Sequence, residues 1–188
     1  TSVRRSLFAS EKERSDFLNT LMAGIMNIME YHGGLEEEDN YHEFCRLLGR
    51  LKTSYQLSEL VRVPNIIPWL EKARDFTLQT MQNWAEKMNS IHYCLALWSR
   101  MVAALPYLRN DDRTPSSGIQ AQTLKACVNT VMQAYIKAML DSVQVVVAEQ
   151  GQVDDPLDDE GSLNEALDRL PGIARLQYET VSQYLATN

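Results

Sequence analysis

Five carboxylate side chains lie within seven residues in the last quarter of the sequence, flanking a proline. They are Asp154, Asp155, Asp158, Asp159 and Glu160. Such a cluster strengthens the local negative potential and attracts basic protein surfaces, mainly through association rate and orientation. We expect this acidic loop, residues 152–161, to contact a protein partner. A solvated linker is an alternative reading. A calcium site is a weaker one, because the Asp-x-Asp-x-Asp-Gly order of an EF-hand is missing.

The histidines and cysteines are poorly spaced for catalysis or metal binding. His42 and Glu43 begin like a zinc-protease motif, but Arg46 stands where the second histidine belongs. His92 and Cys94 are two residues apart, so on a helix they diverge by about 200°. The sequence also lacks a recognisable acid–base or nucleophile–base set. We therefore expect a protein that is not an enzyme and that uses no metal and no cofactor.

Composition places the chain among globular proteins. Of its 188 residues, 45% are hydrophobic and 23% are charged, with a net charge of -7. This charge argues against nucleic-acid binding, which needs a dense basic patch. No apolar run is long enough for a membrane span, and the N-terminus lacks a signal-peptide core. The three widely spaced cysteines lie in apolar helical patterns and are expected to be reduced core residues.

Apolar residues recur at three- and four-residue steps along most of the sequence, and no alternating strand pattern occurs. Ser10 and Glu13 form a capping box at the first helix start, and Ser162 with Glu165 forms another. A polar loop is expected over 109–118. The periodicity predicts about six main helices: from Ser10 to the Gly33-Gly34 pair, 41–53, 66–86, from Asn89 or Ser90 to Pro106, from Leu124 to Gly151, and from Ser162 to the last residues.

Sequential helices with short turns form either a closed bundle or an open stack of antiparallel pairs. Three features favour the stack. The apolar arcs are broad, the tryptophans Trp69, Trp84 and Trp98 crowd the middle of the chain, and helix starts near Tyr41 and Ser90 are about forty-nine residues apart, close to HEAT spacing. The sequence therefore favours an all-α solenoid of HEAT-type pairs, with a closed helical bundle as the alternative.

One long string of mixed residue types carries a family resemblance. It runs from Asn40 to Trp84, resumes at Asn89 to Tyr93, and includes Asp155 to Asp159. This string resembles the exportin-7 and Ran-binding protein 17 group of the importin-β superfamily, whose members are superhelices of HEAT repeats. The resemblance implies that residues 1–188 are one B helix, two A-B pairs and one A helix. Because the sequence begins at Thr1, we expect a fragment of a longer receptor.

The resemblance also implies a function. It implies a segment of a nuclear export receptor that binds cargo proteins together with Ran in its GTP form and carries them through nuclear pores. The partners would be Ran, cargo and nucleoporins, with no nucleic acid and no membrane, and the location would be the nucleus and cytoplasm. A helical scaffold or adaptor unrelated to transport is the alternative, and it predicts a compact globule with sealed ends.

Within such a receptor, two kinds of site are expected. In relatives an acidic loop between central repeats touches Ran, which suggests the same role for the five carboxylates of residues 154–160. The amino-terminal repeats that make the principal Ran contact are not in this sequence, so tight Ran binding by the fragment alone is not expected. The helices over 66–86 and 124–149 would line the concave face, where four polar residues are expected to meet cargo: Lys72, Asp75, Gln79 and Gln133.

Overall fold

The computed structural model describes residue 3, residues 5–105 and residues 117–148. These residues form a short 3-10 helix at Arg5–Leu7 and six α-helices, and the described residues contain no strand. The α-helices are α1 (Glu11–Tyr31), α2 (Glu38–Ser54), α3 (Leu57–Leu60), α4 (Ile66–Gln82), α5 (Trp84–Ala104) and α6 (Ser117–Ala148). The all-α prediction is therefore confirmed. The helix expected from Ser162 onward lies outside the described residues.

The first helix begins and ends where the sequence indicates. The backbone N–H of Glu13 donates to Ser10 Oγ at 3.1 Å, and Glu13 Oε2 accepts from the Ala9 N–H at 2.7 Å. Both bonds satisfy donors that a helix start leaves unpaired. At the other end, His32 adopts the left-handed conformation with φ of 51°, and its N–H bonds to the Ile28 carbonyl. The glycine pair thus begins one residue after the helix cap.

Three predicted helix boundaries are wrong. The helix expected over 66–86 ends at Gln82, and α5 already begins at Trp84. Lys87, with φ of −114° and ψ of 16°, then departs from helical geometry. The structure thus has two close breaks, at Asn83 and at Lys87, where the sequence predicts a single break before Ser90. The sequence does not reveal them because the apolar period stays in phase across both. The last described helix starts at Ser117, ahead of the expected Leu124, and of the added residues, Gln120, Ala121 and Gln122 favour a helix although they add no apolar stripe.

The helices pack in two layers. One layer contains α2 and α5, which share the most extensive contact in the structure. The other contains α1, α4 and α6, with α4 between its two neighbours. Contacts of α5 with α4 and α6 join the layers. Consecutive long helices therefore alternate between layers, as in a stack of helix pairs.

Helix direction distinguishes the stack from a closed bundle. In the first layer, His42 contacts Ser90 and Gly49 contacts Arg100, pairs 48 and 51 residues apart, so α2 and α5 run parallel. In the second layer, Glu30 at the end of α1 pairs with Lys72 in α4. Adjacent helices of an up-and-down bundle run antiparallel. Parallel neighbours at a repeat-like offset are the arrangement of an α-solenoid, and the fold-class prediction is confirmed.

The predicted apolar stripes form one continuous core. Tyr41 of α2 stacks on Phe76 of α4 with ring centroids 5.5 Å apart, and Phe44 meets the same ring edge-on at 5.3 Å. Thus the start of α2 packs against the second half of α4. The largest fully buried side chains include Trp69, Trp98, Tyr135, Leu18, Met22, Leu48, Leu60 and Ile66.

Candidate partner-binding surfaces

The acidic loop predicted as the partner site lies outside the described residues. This holds for all five of its carboxylates: Asp154, Asp155, Asp158, Asp159 and Glu160. Their contact with Ran or cargo therefore stays a prediction. The polar segment between α5 and α6, residues 106–116, is likewise outside the described part of the chain.

The polar residues predicted to meet cargo lie on α4 and α6, two helices that pack against each other. Asp75, Gln79 and Gln133 are exposed, as expected for a binding face. Lys72 is only partly exposed, and its Nζ lies 3.5 Å from Glu30 Oε1 on α1. The structure therefore leaves these three side chains exposed on this layer, and it pairs Lys72 with the neighbouring helix.

An arginine between α4 and α6 organises charge at the edge of this face. Arg74 Nε donates to Asp75 Oδ1 at 2.8 Å, and this bond raises the pKa of Arg74. Burial raises the pKa of the Cys127 thiol, while the nearby Arg74 acts in the opposite direction. Asp75 is therefore already engaged, so a cargo would meet a neutralised pair at this position.

The zinc-like motif residue His42 has a structural role between α2 and α5. Its Nδ1 lies 3.2 Å from Ser90 Oγ, and its ring meets Tyr93 edge-on with centroids 5.4 Å apart. One turn further on, Arg46 pairs with Glu43 at 2.7 Å. Both residues of the apparent motif are thus engaged in contacts on and between the helices. Among the described residues, no cluster of three His, Cys, Asp or Glu side chains could hold a metal ion.

All three cysteines are buried and free, as the sequence predicts. Cys45 on α2 and Cys94 on α5 are fully shielded from solvent. A hydrogen bond between the Cys45 and Cys94 side chains, together with burial, raises the pKa of Cys45 far above its usual range. A thiol that stays protonated and inaccessible is a poor nucleophile. These cysteines are therefore core residues of the contact between α2 and α5.

A buried ion pair on α1 has no counterpart in the sequence predictions. Arg14 donates through Nε and NH2 to the two carboxylate oxygens of Glu59, at 2.8 and 3.0 Å. Its side chain is 8% exposed, and its guanidinium lies over the rings of Phe8 and Tyr55. The same Glu59 accepts from the Gln56 N–H and caps α3. The sequence signal for part of this arrangement is the Gln56–Glu59 spacing, which is that of a capping box and indicates the role of Glu59 at the start of α3. It does not indicate the pairing of Glu59 with Arg14.

The sequence is similar to several known proteins over almost its whole length. It is 40% identical over 185 residues to Ran-binding protein 16 of Drosophila melanogaster, covering 98% of this chain and 16% of that protein. It is 39% identical over 178 residues to Exportin-7-A of Xenopus laevis, covering 95% of this chain and 15% of that protein. For Ran-binding protein 17 of Homo sapiens the identity is 40%, with the same two coverages of 95% and 15%.

Over almost its whole length the chain is similar to members of the exportin-7 group. A family model described as "Exportin-7-like, TPR domain" matches residues 142–188. TPR and HEAT repeats are both stacked helix pairs, so this description agrees with the solenoid seen in the described residues. No solved structure gives a significant match.

The chain spans only about one sixth of the length of the relatives it matches. Most of the residues matched by the family model lie outside those that the structure describes. A further finding concerns membranes: none of the described helices is long and apolar enough to cross one.

Proposed function

We propose that the chain is a segment of a nuclear export receptor that binds cargo proteins together with Ran-GTP and carries them through nuclear pores. The supporting observation is 38–40% identity over almost the whole chain to exportin-7 and Ran-binding proteins. The open stack of parallel same-layer helices supports the same reading, because solenoids present extended surfaces to protein partners. As part of this proposal, the protein is not an enzyme and acts between nucleus and cytoplasm, with nucleoporins among its partners.

The proposal includes an assignment of the helices. We assign α1, α4 and α6 as B helices and α2 and α5 as A helices, so that α2–α4 and α5–α6 are the two A-B pairs. The final A helix would follow the acidic loop. In this assignment cargo meets the B layer around Gln79 and Gln133, while Ran meets the carboxylates of residues 154–160.

The test is a chimera. This chain replaces the corresponding part of full-length Ran-binding protein 16, and binding to Ran is measured with GTP and with GDP bound. We expect the chimera to retain preference for Ran-GTP. Reversing two loop charges, Asp155→Lys with Asp158→Lys, should weaken binding at least about tenfold, because complementary charges at interfaces contribute to orientation and affinity.

The matched control reverses two charges in the other polar loop, Asp111→Lys with Asp112→Lys. This variant has the same net charge and should bind Ran-GTP within about twofold of the unmodified chimera. A chimera that ignores the nucleotide on Ran would contradict the transport function. Equal losses in the two variants would contradict the role of the acidic loop while leaving the function intact.

A further inference from the structure

Charge is segregated along the layer formed by α2 and α5. The first turn of α2 and the turn before it are acidic, with Glu36, Glu37, Glu38 and Asp39 all exposed. Beyond Glu43 the pattern reverses: residues 44–58 and 88–110 contain no Asp or Glu. In a chain of net charge -7, the second halves of both helices are therefore basic. Acidic residues at the start of a helix and basic residues toward its end also stabilise the helix dipole, so this charge distribution alone does not indicate a ligand.

Two arginines lie near each other where the neighbouring helices meet. Arg50 on α2 directly follows Gly49, whose carbonyl oxygen contacts Arg100 on α5. Both are exposed. Because Arg100 reaches across to the residue that precedes Arg50, the two side chains are separated by about one interhelical distance, roughly 8–10 Å.

One of the two guanidinium groups is held in place. Arg100 NH1 donates to the Gly49 carbonyl oxygen across the helix contact. A guanidinium has five N–H donors, so most of those of Arg100 remain for a partner. Side chains that are already positioned lose less entropy on binding. Arg46, by contrast, is engaged with Glu43.

We propose that Arg50 and Arg100 form a binding surface for an extended, acidic segment of a partner protein that crosses α2 and α5. Extended chain advances about 3.3 Å per residue, so carboxylates three residues apart would match the spacing of the two arginines. Arginine suits this role because its planar group binds a carboxylate through two parallel bonds. This surface lies on the layer opposite to the one proposed for cargo, so it is independent of that assignment.

The test uses the whole chain and a fluorescein-labelled peptide with four Asp-Ser-Gly repeats. Fluorescence anisotropy should detect binding of this peptide and not of the Asn-Ser-Gly counterpart. Arg50→Glu should weaken binding at least about fivefold, and Arg50→Gln by a smaller factor, as expected for exposed charge pairs. Arg50 forms no bond in the described structure, so circular dichroism should show an unchanged fold.

The matched control is Lys137→Glu, at an exposed position on α6. It changes the net charge by the same amount as Arg50→Glu and should alter the affinity for the peptide less than about twofold. Equal weakening by both variants, or equal binding of the two peptides, would overturn the proposal. A third variant converts the five acidic residues at 154–160 to amides and should bind the peptide as the original chain does. If its affinity rises instead, the chain's own acidic loop covers the surface, and the proposal of an external partner is wrong.

Discussion

The contact between α2 and α5 and the contacts around α4 hold the same solenoid together in different ways. At Gly49 the first contact is so close that an added Cβ would lie 2.9 Å from the Tyr93 carbonyl oxygen. Around α4, by contrast, large side chains fill the space, and Thr77 Oγ1 accepts a hydrogen bond from Trp98 Nε1 at 3.0 Å. The close approach of the two backbones therefore determines the distance between α2 and α5, whereas large side chains determine the packing between the two layers.

The two contacts should respond differently to mutation. The contact between α2 and α5 should be sensitive to added side-chain volume, and the contacts around α4 should be sensitive to lost side-chain volume. Replacing a small side chain by a larger one is destabilising where no space is left for the added atoms. Truncation of a large side chain is destabilising where a cavity remains. Three measurements test this difference.

The largest effect is expected at the junction between the layers. Trp98→Ala should lower the free energy of unfolding by about 3–5 kcal/mol, because a fully buried ring and its hydrogen bond to Thr77 are both lost. Chemical denaturation gives the value. The control is Tyr31→Ala, whose side chain is 72% exposed and whose loss should change stability by no more than about 0.5 kcal/mol. Similar losses in both variants would refute the importance of this packing.

A smaller effect, caused by added instead of lost volume, is expected where Gly49 of α2 lies against the backbone of α5. Gly49→Ala should lower the free energy of unfolding by about 1–3 kcal/mol, because the new methyl group pushes α2 from α5. Gly24→Ala is the control: it lies in α1, where an added Cβ meets nothing within 4 Å, and should stabilise by about 0.5–1 kcal/mol through helix propensity. If both variants gain stability, Gly49 does not limit the approach of the helices.

The smallest effect concerns pH and the side-chain core of α6. Burial raises the pKa of Tyr135 to about 12 from a usual value of 10.0. The unfolded chain thus loses this proton first, so stability falls as pH rises from about 10 toward 12. In Tyr135→Phe this part of the decline should be absent. Unfolding free energies at pH 8, 10 and 11 would show it, and parallel declines for the two proteins would contradict the assignment.

Much of the fold was predictable because its signals are local. The apolar stripes of α1, α2 and α5 are buried as expected, and Ser10 with Glu13 caps α1. The boundary between α4 and α5 was missed, since the helical period continues across Asn83 and Lys87. The start of α6 was missed because its first residues form no apolar stripe. Of the predicted surface, Gln79 and Gln133 are exposed as expected, whereas the pairing of Lys72 with Glu30 was not foreseen.

The residue types alone predict the helical class, the core-facing residues and the family resemblance, because these depend on short spacings or on one long string. Only the folded structure shows which helices are neighbours, that α2 and α5 are parallel, and that Arg14 meets Glu59. It also shows that Arg100 contacts Gly49, which precedes Arg50 on the adjacent helix. These features join residues about forty to fifty positions apart, and such pairings are fixed only when the whole core packs at once.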